Sequence, residues 1–190
     1  MNKTKRKIFE TSMDLFAKKG YEATSIEEIT SVVGVAKGTL YYHFSSKDEI
    51  FNFLVEEGMN LLKTSILIKT SKVDNAVDKL KAIILIQIKV MIKYENFITI
   101  LLSQLWGNEP RNVLCKNYAF DYINIIEDII KTGIENGELN KVNPEALASS
   151  IFGFTCSNLL YKAKTEKELD VQTLYRDYVN ILLGKYLKEQ

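Results

Sequence analysis

Proline occurs only twice in 190 residues, at positions 110 and 144, and glycine nine times. A chain so poor in helix breakers runs in long helices wherever its apolar residues recur at three and four. They do so along nearly the whole length. No stretch sustains a two-residue alternation, and no Asn-Gly pair joins two apolar runs. Asn136-Gly137 instead follows Glu135 at a helix end. The pattern predicts an all-α fold of about nine helices. Residues 4–19 form the first, with Ile8, Ser12, Leu15 and Phe16 on one face and Gly20 as its left-handed cap. Thr24-Ser25-Ile26-Glu27 reads as a capping box in which the Thr24 hydroxyl takes the amide three residues on. Ile26, Ile29 and Val33 then share a face until Gly34. In 37–44, Leu40 and Phe44 turn inward and leave Lys37, Tyr41 and Tyr42 outside. Ser46-Lys47-Asp48-Glu49 is a second capping box. It opens a fourth helix to residue 69, on the order of 35 Å long and able to join two domains rigidly. Further helices are expected at 75–94, 96–106, 110–135, 144–164 and 171–188. Asn143-Pro144 opens the eighth, with proline at its first helical position.

Apolar residues make up 46% of the chain, enough for a sizeable core. Lys and Arg number 25 against 24 Asp and Glu, so the whole is nearly neutral. The charge is unevenly placed. Residues 1–47 carry eight cations against five acids, and the remainder 17 against 19. A basic head on a mildly acidic body suits an anionic partner for the head. One histidine and two separated cysteines, Cys115 and Cys156, support neither a metal centre nor a disulfide framework. Neither metal nor cofactor is expected. The start of the chain is basic but then amphipathic, unlike a signal peptide. The most apolar run, 82–92, is interrupted by Gln87 and Lys89 and is too short to span a bilayer. A cytoplasmic protein with reduced thiols and no membrane partner is the expectation.

Two short helices joined by a glycine-containing turn, 26–33 and 37–44, have the spacing of a helix-turn-helix. Such a unit lays its second helix in the DNA major groove. Phosphates there need cations and neutral donors, and base edges need polar or apolar readers. Lys37, Thr39, Tyr41, Tyr42, His43 and Lys47 supply that set within a few turns of chain. Gly38, lacking a side chain, lets the helix approach closely. Tyr41 and His43 also fit packing or capping roles, and Gly38 a packing role.

The run Val35-Ala36-Lys37-Gly38-Thr39-Leu40-Tyr41-Tyr42-His43-Phe44-Ser45-Ser46-Lys47 resembles the N-terminal DNA-binding domain of the TetR family of transcriptional regulators. So do Ile26-Glu27-Glu28-Ile29 and the upstream Phe16-Ala17 and Gly20-Tyr21-Glu22-Ala23-Thr24-Ser25. The resemblance covers about the first fifty residues. It implies a three-helix DNA-binding domain at 1–47 and a helical effector-binding and dimerisation domain at 48–190. It implies that Thr24 caps the second helix and touches phosphate, and that Lys37 reaches bases or phosphate. Thr39 and Tyr41 would then meet base edges or backbone, and Tyr42, His43 and Lys47 phosphates. Lys3, Lys5, Arg6 and Lys7 would form a basic arm. Ala36 departs from relatives that carry a hydroxyl there, so one contact is lost. The implied function is a ligand-responsive regulator, foremost a repressor, bound to a pseudo-palindromic double-stranded operator as a homodimer.

The body of the chain offers an effector cavity or a plain core. Met91, Trp106, Tyr122 and Phe152 are the apolar candidates for a ligand. Gln87, Ser103, Gln104, Asn124 and Ser157 are the sparse polar ones. A small apolar or amphipathic effector fits this composition; acyl thioesters, flat lipophilic compounds and quaternary ammonium compounds stay open. The last two helices are apolar on more than one side, which calls for two partners. Ile151, Phe154, Asn158, Tyr178 and Leu182 are the residues assigned to a two-fold four-helix interface. Two alternatives stand beside this reading. One is an activator or architectural DNA-binding protein without an effector. The other is an all-α enzyme, for which no nucleophile–base pair, His-Glu-x-x-His or glycine-rich phosphate loop is present.

Overall fold

The computed structural model describes residues 1–165 and 167–187. They form α1 (Lys3–Lys19), α2 (Ile26–Val33), α3 (Lys37–His43), α4 (Lys47–Thr70), α5 (Ala76–Lys93), α6 (Glu95–Ser103), α7 (Pro110–Glu135), α8 (Pro144–Thr165) and α9 (Val171–Leu183). A short 3-10 turn, Gly184–Tyr186, follows α9. Among the described residues, extended pairing is limited to one isolated antiparallel bridge, between Leu139 and Leu187. The fold is all-α, as the spacing predicts.

The chain divides into two compact units. The first is Met1–Asn60 with Asn96–Lys116. In it α1, α2 and α3 pack on one another. Ile8, Phe16, Ile29, Val33 and Leu40 form their shared core, each at most 3% exposed. Phe51 on α4 closes it through the Tyr21 ring, edge-on at 5.2 Å between centroids. Gly20 ends α1 at φ 86° and ψ 160°, outside the left-handed helical region expected of its cap and open to glycine alone without strain. Gly34 ends α2 in that left-handed region at φ 75°, which glycine favours. Residues 3–7 are not a loose arm. Asn2 caps α1 by accepting the Lys5 amide at 2.8 Å. Lys7 Nζ donates to the Val33 carbonyl at 2.7 Å, satisfying an acceptor left free at the end of α2. Lys5 Nζ lies over the rings of Phe44 and Phe53, 4.8 and 4.5 Å from their centroids. Gly58 on α4 lies against Phe97 on α6, where an added Cβ would stand 2.3 Å from the ring. α6 stops at Ser103 rather than continuing to residue 106. The amides of Gln104 and Leu105 bond back only three residues. The Gln104 carbonyl is taken by the Asn112 side chain at 3.1 Å, which withdraws it from any further helical turn.

The second unit is Leu61–Glu95 with Asn117–Gln190. α5 packs on α8 and α9 there. Its interior is aliphatic, with Leu80, Ile83, Ile84, Ile88, Ile126 and Ile151 fully buried. Asn75 caps α5 by accepting the Asp78 amide at 2.8 Å. Glu138 adds a second acceptor, for the Ala76 amide at 2.5 Å. α9 closes at Leu183, short of the predicted 188. The tail is instead tied to the α7–α8 loop, where the Asn140 amide donates to the Tyr186 carbonyl at 2.9 Å. The last predicted residue, Lys188, lies outside the described residues.

Candidate nucleic-acid interface

α3 is short and anchored from beneath. Leu40 and Phe44 are buried, and i, i+4 spacing puts both on one side. The opposite side carries the chemistry. Lys37 is exposed, Tyr41 is 45% exposed and Tyr42 is 84% exposed. Thr39 and His43 are half-buried at the edges. The Tyr42 and His43 rings meet edge-on at 5.0 Å. Gly38 is exposed, and a Cβ built on it would meet nothing within 4 Å. Among the described residues no neighbour therefore requires a glycine here.

Lys37 is not idle. Its Nζ donates to Glu27 Oε1 at 2.5 Å and stands 5.9 Å from the Tyr41 ring centroid. The hydrogen bond from Lys37 holds the Glu27 carboxyl below its usual range, and the same bond raises the lysine. Both side chains are more than half exposed, so the pair is worth little in water.

Thr24 takes a different place from the one its capping role required. It is 1% exposed, and its hydroxyl donates to the Gly20 carbonyl at 2.9 Å. Ser25, one residue later, caps α2 by accepting the Glu28 amide at 3.1 Å. The turn through Tyr21 folds Thr24 back on Gly20 and leaves the next hydroxyl at the helix mouth. Lys47 sits at the start of α4, where Ser46 accepts the Glu49 amide at 3.0 Å. Its Nζ donates to the carbonyls of Tyr21 and Thr24, each at 2.9 Å. Lys47 is thus half-buried and ties the α1–α2 turn to α4, a structural duty that sequence reading did not assign.

The other expected site residues fall in several places. Met91 and Tyr122 are buried in the second unit, and the Phe152 ring lies 6.1 Å from that of Tyr122. Trp106 belongs to the first unit and is 82% exposed on the α6–α7 turn. Of the polar candidates, Gln87 is central. Its amide donates to the Ile151 carbonyl at 3.0 Å, the Phe152 carbonyl at 3.2 Å and the Thr155 hydroxyl. Its oxygen accepts the Tyr122 hydroxyl at 2.8 Å. Burial raises the Tyr122 pKa well above that of a free phenol. Ser103 and Gln104 lie in the first unit, while Asn124 and Ser157 are exposed.

Of the residues assigned to dimerisation, Ile151, Phe154 and Asn158 are buried within the chain itself. Asn158 donates to the Tyr178 hydroxyl at 2.5 Å, and the Phe154 and Tyr178 rings stack at 4.4 Å. These contacts join α8 to α9. Tyr178 and Leu182 are half-buried. The exposed apolar residues of the same helices are Leu160, Tyr161 and Ile181, at 73%, 55% and 71%.

Among the described residues no group of three or more His, Cys, Asp or Glu is placed to hold a metal ion. No helix among them is long and apolar enough to cross a membrane.

Residues 8–54 match the family model of bacterial regulatory proteins, tetR family. YerO of Bacillus subtilis, an uncharacterised HTH-type transcriptional regulator, is 34% identical over 122 residues, 63% of this chain and 42% of YerO. IcaR of Staphylococcus aureus, the negative transcriptional regulator of the biofilm operon icaADBC, is 34% identical over 76 residues, 40% of this chain and 41% of IcaR. The chain thus aligns with about two fifths of the length of these curated relatives. Among solved structures, a candidate fatty acid metabolism regulator of Clostridium perfringens superposes at a TM-score of 0.89 with 33% identity, over 96% of this chain and 100% of that one. The regulator FadR of Bacillus subtilis, solved with stearoyl-CoA, has the same fold at a TM-score of 0.82 and 22% identity, over 94% of this chain and 97% of that one. On these matches, and on the helix-turn-helix that α2 and α3 build, the chain belongs to the TetR family of bacterial regulatory proteins.

Proposed function

We propose that this chain is a transcriptional repressor that binds a pseudo-palindromic operator as a homodimer and releases it on binding an acyl-coenzyme A or a related amphipathic acyl compound. One observation carries the DNA half of this reading. α3 exposes Lys37, Tyr41 and Tyr42 around an unfilled Gly38, on a helix whose other side is locked into the core. In this reading residues 1–47 meet DNA. Lys37 and Thr39 read or flank base edges, Tyr42 and His43 donate to phosphate, and Gly38 permits the approach. Lys47 adds charge at the α4 start. Thr24, buried, acts by shaping the turn.

Residues 48–190 hold the effector and the dimer contact. IcaR, a negative regulator, supports repression. The stearoyl-CoA in FadR supports an acyl chain, and the aliphatic interior of the second unit suits one. Met91, Tyr122 and Phe152 are the side chains proposed to meet it. Trp106, exposed on the α6–α7 turn, is not among them. Leu160, Tyr161 and Ile181 replace Ile151, Phe154 and Asn158 as the proposed dimer surface, because only exposed apolar area gains by being covered. The effector releases DNA only to the extent that it prefers the low-affinity state.

The test is selection of duplexes from a random-sequence pool by the purified protein, followed by titration with acyl-coenzyme A compounds of graded chain length. A recovered motif with dyad symmetry, released by one range of chain lengths, is the expected outcome. Recovery of no duplex in dilute buffer overturns the DNA reading. Recovery of a motif that no acyl compound releases overturns the effector class alone.

A further inference from the structure

We infer that Arg111, at the start of α7, is a positioning residue for Lys47: it grips the turn whose carbonyls orient that lysine. The inference rests on the DNA-binding reading above. It concerns a residue far from α3 in sequence and without a place in the helix-turn-helix pattern.

The turn between α1 and α2 is held from two sides within the first unit. From α4, Lys47 Nζ donates to the Tyr21 and Thr24 carbonyls, and Asp48 accepts the Tyr21 hydroxyl at 2.5 Å. From α7, the Arg111 guanidinium donates to the Glu22 carboxylate. Its Nε donates to Gln104 Oε1 at 3.1 Å. Both cations lie within range of one aromatic ring: Lys47 Nζ is 4.2 Å, and the Arg111 guanidinium carbon 4.7 Å, from the Tyr21 centroid. The ring is 6% exposed and the Arg111 side chain 16%, so the two ring contacts are largely shielded from water and salt. Glu22, by contrast, is 76% exposed, and its pair with Arg111 adds direction more than energy.

An ammonium group has three donors. Two of those on Lys47 are committed to the turn, which leaves one for a phosphate. Its direction follows from where the two carbonyls stand. Glu22 is the turn residue that Arg111 grips, between the two residues whose carbonyls Lys47 uses. Arg111 is itself fixed by Gln104, which also accepts from the Asn112 amide at 3.1 Å. Removing the guanidinium frees one side of the turn and lets the carbonyl pair drift. A guanidinium suits this place: its planar fork carries separate donors for Glu22 and Gln104 while its face lies on the ring, and a lysine amine, a single point charge, would keep only part of these contacts.

The experiment is a double-mutant cycle read on a duplex that the wild-type protein has selected from a random pool. Arg111→Gln, Lys47→Met and the double variant are compared by Kd over a range of salt, with thermal unfolding measured in parallel. Arg111→Gln is expected to weaken binding about five- to ten-fold and to flatten the dependence of log K on log salt by about one unit, as loss of one phosphate contact does. In the Lys47→Met background it is expected to change neither Kd nor slope. Any loss of thermal stability is expected to be the same in both backgrounds. Arg111→Lys is expected to recover part of the affinity, and it carries the measurement should Arg111→Gln not fold. An unchanged Kd for Arg111→Gln overturns the inference, as does an equal loss in both backgrounds or a loss with an unchanged slope. Those outcomes leave the DNA-binding reading intact. Failure of the wild-type protein to select any duplex removes both.

Discussion

Gly38 separates folding from function at one atom. Its φ is not in the left-handed region, and a Cβ there meets nothing within 4 Å. Inside a helix glycine is less favourable than alanine. Gly38→Ala is therefore expected to stabilise the protein by about 0.5–1 kcal/mol while weakening binding to a selected duplex. Chemical denaturation and a gel-shift titration check the pair of signs; tighter DNA binding by the more stable variant would refute the close-approach role. Cys115 argues at the same scale against nucleophilic chemistry. It is fully buried, and burial pushes its thiol from 9.0 up to about 12. A reactive cysteine needs the opposite shift. Because the folded value is the higher one, the thiol favours folding below about pH 9, and this contribution fades as pH rises towards 12. Wild type is expected to lose more stability than Cys115→Val across that window in denaturant titrations. Parallel curves would show that the thiol is not what titrates.

At the scale of elements, the α2 start shows how a cap shifts by one residue. Thr24 and Ser25 both have the right chemistry, and spacing alone favours the first, with Glu27 three residues on. The structure uses Ser25, with Glu28 in that place, because Thr24 is turned inward by its bond to Gly20. Ser25 is exposed, so Ser25→Ala tests the cap alone; a loss of about 1 kcal/mol in urea unfolding is expected, and no loss would return the cap to Thr24. The crossing of α4 and α6 is tighter. Phe97 is 5% exposed and its ring would lie 2.3 Å from an alanine Cβ at position 58. Gly58→Ala is expected to cost about 1–3 kcal/mol, and Phe97→Leu in the same chain to recover part of it. If Gly58→Ala unfolds at the wild-type denaturant midpoint, the crossing is looser than described.

For the whole molecule the proposed dimer turns on which apolar residues are left outside the chain's own core. Ile181 is 71% exposed and Ile151 fully buried, and they call for opposite outcomes. Ile181→Asp is expected to leave the fold intact and to halve the mass seen by sedimentation equilibrium. Ile151→Asp is expected to unfold the chain, since an unpaired carboxylate would be left inside an aliphatic core. A wild-type protein already monomeric at micromolar concentration would remove the homodimer, and with it the dyad expected of the operator.

Helix content, the helix-turn-helix and most helix starts follow from short-range rules: spacing at three and four, hydroxyls at helix mouths, glycine where φ turns positive. These act within a few residues, so they can be read along the chain, and Leu40, Phe44, Lys37 and Tyr42 take the sides their spacing assigned. Which of two apolar faces on α8 is covered is a different kind of question, since Ile151 and Leu160 are equally apolar and only the packing of α5, α8 and α9 distinguishes them. The same holds for Lys47, whose donors are claimed by carbonyls 26 and 23 residues away, and for Arg111, whose carboxylate partner is 89 residues away. Local sequence decided the elements because their bonds are local. The tertiary structure decided which charges are committed and which are free, because that depends on what folding brings next to them.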